Sequence, residues 1–225
     1  MTEKNGSNQT DAAAQEPAAA EAPRLDGNEA INRAAEQAKS TATRNITELE
    51  GLPIPDETAN LRFGPNIHDG LLALLPLVGV WHGEGQANDN GDEYAFGQQL
   101  VISHDGENYL RFESRIWRLD EDGKPTGADQ REVGFWRISL KDEIEVTLTN
   151  SRGLTEIMYG TLLNERAWQL TSASTIVTET GPENHGPGKR VYGLMPNNNL
   201  GWVDERAVDG EMVPYMSAEL KRIAG

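Results

Sequence analysis

Four histidines, His68, His82, His104 and His185, supply the imidazole groups of the chain, and no two stand at the spacing that shares a metal ion. His68 precedes an apolar run and reads as a cap or a solvent-facing group. His104 precedes the turn signal Asp105-Gly106 and is expected to be exposed. His185 sits in Gly181-Pro182-Glu183-Asn184-His185-Gly186-Pro187-Gly188, a loop suited to the rim of a β-barrel, from which it could reach into the mouth. There are no cysteines, which excludes thiol nucleophiles, disulfides, zinc ribbons and iron–sulfur clusters. No Gly-x-Ser-x-Gly elbow occurs, and Gly188-Lys189-Arg190 lacks the rest of a phosphate loop. Asp120-Glu121-Asp122-Gly123 reads as a hairpin turn rather than a calcium loop. The most specific pattern is Gly79-Val80-Trp81-His82-Gly83-Glu84-Gly85. On a strand, Gly79, Trp81, Gly83 and Gly85 share one face, and each Gly costs about 0.5–1 kcal/mol relative to Ala. A strand keeps such residues where it must bend or admit a close neighbour. The pattern therefore predicts a barrel-closing device and not a catalytic loop. The five tryptophans are likewise expected to pack the core and the barrel ends.

The elements that must position these residues are strands. Ile144, Val146 and Leu148 alternate with charged and Thr residues, and Leu110, Phe112, Ser114 and Ile116 alternate with Tyr109, Arg111, Glu113 and Arg115. That period of two marks half-buried antiparallel strands. Asp89-Asn90-Gly91, Asp105-Gly106, Asp122-Gly123, Asn197-Asn198-Asn199 and Asp209-Gly210 punctuate them. No long helical pattern intervenes, so an all-β meander of about eight to ten strands is expected, closed because closure removes exposed edges. Before it, Ile67, Leu71, Leu72, Leu74 and Leu75 predict a short helix ending at Pro76. All 14 aromatic residues lie between Phe63 and Tyr215. Residues 1–60, acidic and Ala-rich, are expected to form a disordered tail, with only marginal helix propensity over Asn28–Arg44. Residues 61–225 then form one barrel domain.

Three segments carry a resemblance to a known family. Leu77-Val78-Gly79-Val80-Trp81-His82-Gly83-Glu84-Gly85 resembles the opening of the nitrobindins. Gly153-Leu154-Thr155-Glu156-Ile157 resembles that family's mid-barrel strand, and Arg206-Ala207-Val208 with Met212 to Arg222 resembles its closing segment. The likeness covers about residues 66–222. It implies a ten-stranded antiparallel up-and-down barrel, shaped like fatty-acid-binding proteins and lipocalins. It also implies ferric haem b held by one histidine, nitric oxide binding and isomerisation of peroxynitrite to nitrate. Carried onto this chain, the position of the iron-ligating histidine falls on Tyr215. A phenol ligates ferric iron only when ionised, and its reference pKa is near 10.

Two functional expectations follow. The first is a nitrobindin-like barrel that has lost its haem ligand, carries no cofactor and binds a small apolar molecule without catalysis. The second is a haem b protein, a peroxynitrite isomerase with Tyr215 as the iron ligand. The formal charge of −16 argues against nucleic-acid partners and anionic membranes. No signal peptide or apolar span is read in the sequence, so a cytoplasmic protein is expected. The resemblance implies a homodimer.

Overall fold

In the computed structural model, residues 26–45, 50–182 and 185–225 are described. Among the described residues the chain divides into two units, one ending at Leu52 and the other spanning Pro53–Gly225. In the first unit, helix α1 spans Gly27–Ala38, and the Asp26 side chain caps it by accepting from the backbone N–H groups of Asn28 and Glu29. All its residues are exposed. Residues 1–25 and 46–49, part of the expected tail, lie outside the described residues.

The second unit is a closed barrel of ten antiparallel strands, each hydrogen-bonded to its neighbours in sequence, with β10 returning to β1. The strands are β1 (Gly79–Asp89), β2 (Asp92–Ser103), β3 (Leu110–Leu119), β4 (Pro125–Ile138), β5 (Ile144–Asn150), β6 (Leu154–Asn164), β7 (Ala167–Val177), β8 (Gly188–Leu194), β9 (Leu200–Val208) and β10 (Glu211–Ala224). The alternations expected for β3 and β5 hold, with Leu110, Phe112, Ser114, Ile116, Ile144, Val146 and Leu148 buried.

One end of the barrel is plugged. The helix expected from Ile67 is a 3-10 helix, Asp69–Leu77, capped by His68 Nδ1, which accepts from Gly70 N–H at 3.0 Å. It runs through Pro76 instead of stopping there, because the tighter i→i+3 spiral spares the ring the carbonyl an α-helix would set against it. Leu71, Leu74 and Leu77 are fully buried beneath it, beside Trp81 and Trp168. The Trp81 indole donates to the Leu77 carbonyl at 2.9 Å, and Trp168 donates to that of Ala73 at 3.0 Å. Arg222 lies 4.0 Å over the Trp81 ring and donates to the Pro76 carbonyl at 2.7 Å.

The three glycines of β1 have separate physical reasons. Gly79 starts the strand at a positive φ of 153°. A Cβ on Gly83 would stand 2.1 Å from the Glu219 carbonyl oxygen, and one on Gly85 2.2 Å from that of Ser217. Strand β10 therefore crosses β1 at a distance that only glycine permits. Trp117 departs from the interior packing expected of the tryptophans: it lies outside, across Gly97 and stacked on His82 at 5.7 Å.

Candidate functional site

The opposite end is the mouth. The β1–β2, β3–β4, β5–β6 and β9–β10 turns and the β7–β8 loop surround it. Along β10, Met216 and Leu220 face inward, so strict alternation would turn Tyr215 outward. A β-bulge between Pro214 and Met216 inserts Tyr215 as an extra residue, and its side chain is turned in with 8 % exposure. His185 packs edge-on against it, ring centroids 5.3 Å apart, so the rim histidine does reach the mouth. The Arg206 guanidinium carbon lies 5.9 Å from the centroid of the Tyr215 ring.

A cavity of about 370 Å³ opens here, lined by Tyr215, His185, Arg206, Val208, Val213 and Pro214 and by residues 88–91 of the polar β1–β2 hairpin, Asp89 among them. Burial, with Asp89 nearby, raises the Tyr215 phenol above its usual 10, and Arg152 only partly opposes this. The hydroxyl is therefore neutral. Burial, then the Arg206 charge, lowers the His185 imidazole below 6.5, so that ring is neutral as well.

Beneath the cavity the barrel interior is filled by charged side chains. Arg190 donates to both oxygens of Glu132, at 2.7 and 3.0 Å, and to Asp204 at 2.9 Å. Arg206 donates to Glu156 at 2.7 Å and to Asp204 at 2.8 Å. Ser172 and Thr175 also donate to Glu156. Burial raises the Glu156 carboxyl, but Arg206 outweighs it, and the net direction is downward. Arg206 has room because Gly188 lacks a side chain: a Cβ there would sit 2.7 Å from the guanidinium carbon. Below this layer Trp202 donates to Gln98 at 2.8 Å, and Gln98 donates to Ser114 at 2.9 Å.

Arg152, on the β5–β6 turn, crosses the mouth. It bonds Asp89 at 2.6 Å on the β1–β2 hairpin, Asp129 on β4 and the Tyr94 hydroxyl on β2. Burial would lower its pKa, but Asp129 reverses the direction and fixes the charge.

Of the residues singled out in the sequence, Gly79, Trp81, Gly83 and Gly85 belong to the plugged end and β1, while Tyr215 belongs to the mouth. His82 is outside on β1, and no cluster of metal-ligating side chains exists among the described residues. His104 corrects an expectation: it is 1 % exposed, because the segment carrying Thr58 pairs with it through backbone hydrogen bonds of 2.8 and 2.9 Å and covers it. Of the interior charges, Glu156 and Arg206 stand in the segments that carry the resemblance, whereas Glu132, Arg190 and Asp204 were not singled out. Their signal was phase: Glu132 shares strand parity with Trp136, Arg190 with Tyr192, and Asp204 and Arg206 with Trp202.

A family model described as a THAP4-like, heme-binding beta-barrel domain matches residues 70–222. The chain is similar to a ferric nitrobindin-like protein of Corynebacterium diphtheriae, 70 % identical over 203 residues, covering 89 % of this chain and 90 % of that one. It is 47 % identical over 208 residues to peroxynitrite isomerase 1 of Mycobacterium marinum, covering 88 % and 93 %. Among solved structures it resembles Rv2717c from M. tuberculosis, with a TM-score of 0.59 and 25 % identity over 70 % of this chain and 99 % of that one.

Proposed function

The chain belongs to the THAP4-like haem-binding β-barrel family, the nitrobindins, and on that footing we propose that it is a member without the histidine that holds haem iron, which binds a small apolar molecule at the Tyr215 mouth and catalyses nothing there. The observation that carries this reading is the state of Tyr215 on β10, the residue on which the resemblance places the family's iron ligand. It is a buried phenol, held protonated and packed edge-on by His185. These residues do not fit an iron porphyrin held from β10. The donor would have to ionise against its surroundings, and the space beneath is taken by the Arg190 and Arg206 ion pairs. A cavity of about 370 Å³ with Val208, Val213 and Pro214 in its walls suits a small apolar ligand.

The second reading is a ferric haem b protein that binds nitric oxide and isomerises peroxynitrite, with Tyr215 on the iron. The family description and the 47 % identical relative named peroxynitrite isomerase 1 favour it. Titrating hemin into the purified chain separates the two. Under the first reading no saturable one-to-one Soret shift appears in the wild type. A stoichiometric shift that disappears in Tyr215→Phe overturns that reading and establishes the second. Tyr215→His adds the missing imidazole and reports whether the surrounding mouth still accepts a porphyrin.

A further inference from the structure

A strap at residues 57–60 lies against the far end of β2 with few attachments. Thr58 N–H donates to the His104 carbonyl at 2.8 Å, and His104 N–H donates to that of Thr58 at 2.9 Å. The Glu57 carboxylate accepts twice from Arg111 on β3, both at 3.1 Å, and once from the Ser103 hydroxyl. The apolar side chains to either side, Leu52, Ile54, Leu61 and Phe63, are exposed and bury nothing that would hold it. Segments tied down so sparsely open at far lower cost than the sheet they lie on.

His104 is buried beneath this strap, and both of its ring nitrogens are without a partner. A neutral imidazole leaves one N–H unsatisfied there, whereas an imidazolium would leave two and a charge besides. The ionisable groups beside it are engaged elsewhere. Asp105 accepts from the Tyr109 hydroxyl and the Glu107 N–H, and Glu57 is held by Arg111 and Ser103. Glu113 accepts from Arg111 and Arg115, and His68 Nδ1 accepts from Gly70 N–H. Asp56, Asp69 and Glu107 are exposed. Burial pushes the imidazole below 6.5, and the Asp105 charge opposes this only in part. With the strap closed, the ring therefore refuses a proton. With the strap lifted, it meets water and titrates near 6.5.

We infer that the strap is an acid-released catch: uptake of one proton by His104 detaches Glu57 and Thr58 from β2 and β3 while the ten strands stay paired. Release unpairs the His104 backbone and frees the chain before residue 60 from these attachments. Below pH 6.5 the lifted state gains a proton that the closed state does not, so the opening constant rises as pH falls. A ring that titrates at 6.5 only when lifted gives about an eightfold rise between pH 7 and 5.5.

Hydrogen exchange of the full chain, followed by NMR amide by amide and corrected for the intrinsic rate, tests this. The Thr58 and His104 amides are expected to be about a hundredfold or more less protected than those of Val146 and Leu148 on β5. Their opening constant should rise about eightfold from pH 7 to 5.5. The rise at Thr58 should vanish in His104→Phe. It should persist in Glu57→Gln, which loosens the strap equally at both pH values. Strap amides as protected as those of β5 would mean that the catch opens only with the whole barrel, and they overturn the inference. So does a wild-type rise below about twofold. A rise that survives His104→Phe, or is lost in Glu57→Gln, assigns the proton to another group and overturns it as well. Should His104→Phe fail to fold, the ring-carbon shifts of His104 in the wild type decide. Titration in step with the opening supports the catch; a ring that titrates while the Thr58 amide stays protected refutes it.

Discussion

Arg190 and Glu132, 58 positions apart in the chain, meet inside the barrel as a two-point ion pair at 2.7 and 3.0 Å, both side chains almost wholly buried. The pair, extended through Asp204 to Arg206 and Glu156, occupies the space that other wide barrels leave to a ligand.

Breaking that pair from one side leaves an uncompensated buried charge. Glu132→Ala is expected to cost about 3–5 kcal/mol, whereas the double variant Glu132→Leu with Arg190→Met costs less than either single change. Urea unfolding midpoints check this. A loss below about 1 kcal/mol in the single variant would mean that water already reaches Arg190.

Strand crossing at β1 depends on missing side chains. Gly85→Ala places a Cβ 2.2 Å from the Ser217 carbonyl and 2.4 Å from the Phe96 ring, so β1 and β10 must separate. A loss of about 1–3 kcal/mol is expected by thermal unfolding. Gly127→Ala, with nothing within 4 Å of the new carbon, is the control and should be near neutral.

Acid should destabilise the fold in two stages. Burial lowers the His104 imidazole below 6.5, only partly opposed by Asp105. Below 6.5 the unfolded chain therefore takes up a proton that the folded chain refuses, and stability falls with pH. His185 acts in the same direction. The Glu156 carboxyl has a folded pKa below 4.5, so its contribution is present above 4.5 and is lost as pH falls through its folded value. Denaturation midpoints should decline from pH 7 to 5.5 and again below pH 4.5. His104→Phe should flatten the upper decline, and an unaltered slope in that variant would remove His104 as its source.

Arg152 ties the β1–β2 hairpin to β4 across the mouth. Arg152→Ala leaves Asp129, 7 % exposed, without its strongest partner and should cost about 1–3 kcal/mol. Amide exchange should quicken at Asn88–Gly91 while the plugged end stays protected. Uniform quickening over all ten strands would show instead that the change destabilises the barrel globally.

An antiparallel all-β meander that closes, and the β1 device, were readable from local pattern, because period-two burial and turn chemistry act over a few residues; the count of ten strands came with the resemblance. Ile144, Val146 and Leu148 declare their inward face by themselves. The absence of cysteine and of paired histidine ligands likewise limits the chemistry before any fold is known. Three decisive features lay beyond that range. The inward turn of Tyr215 needs a bulge, which breaks the alternation used to predict it. The burial of His104 needs Thr58, 46 residues earlier, to pair with it. The ion pairs need strands β4, β6, β8 and β9 brought to facing walls, and a charged residue in core phase announces its burial but never its partner. Periodicity specifies which way a side chain faces; closure of the barrel specifies what it meets.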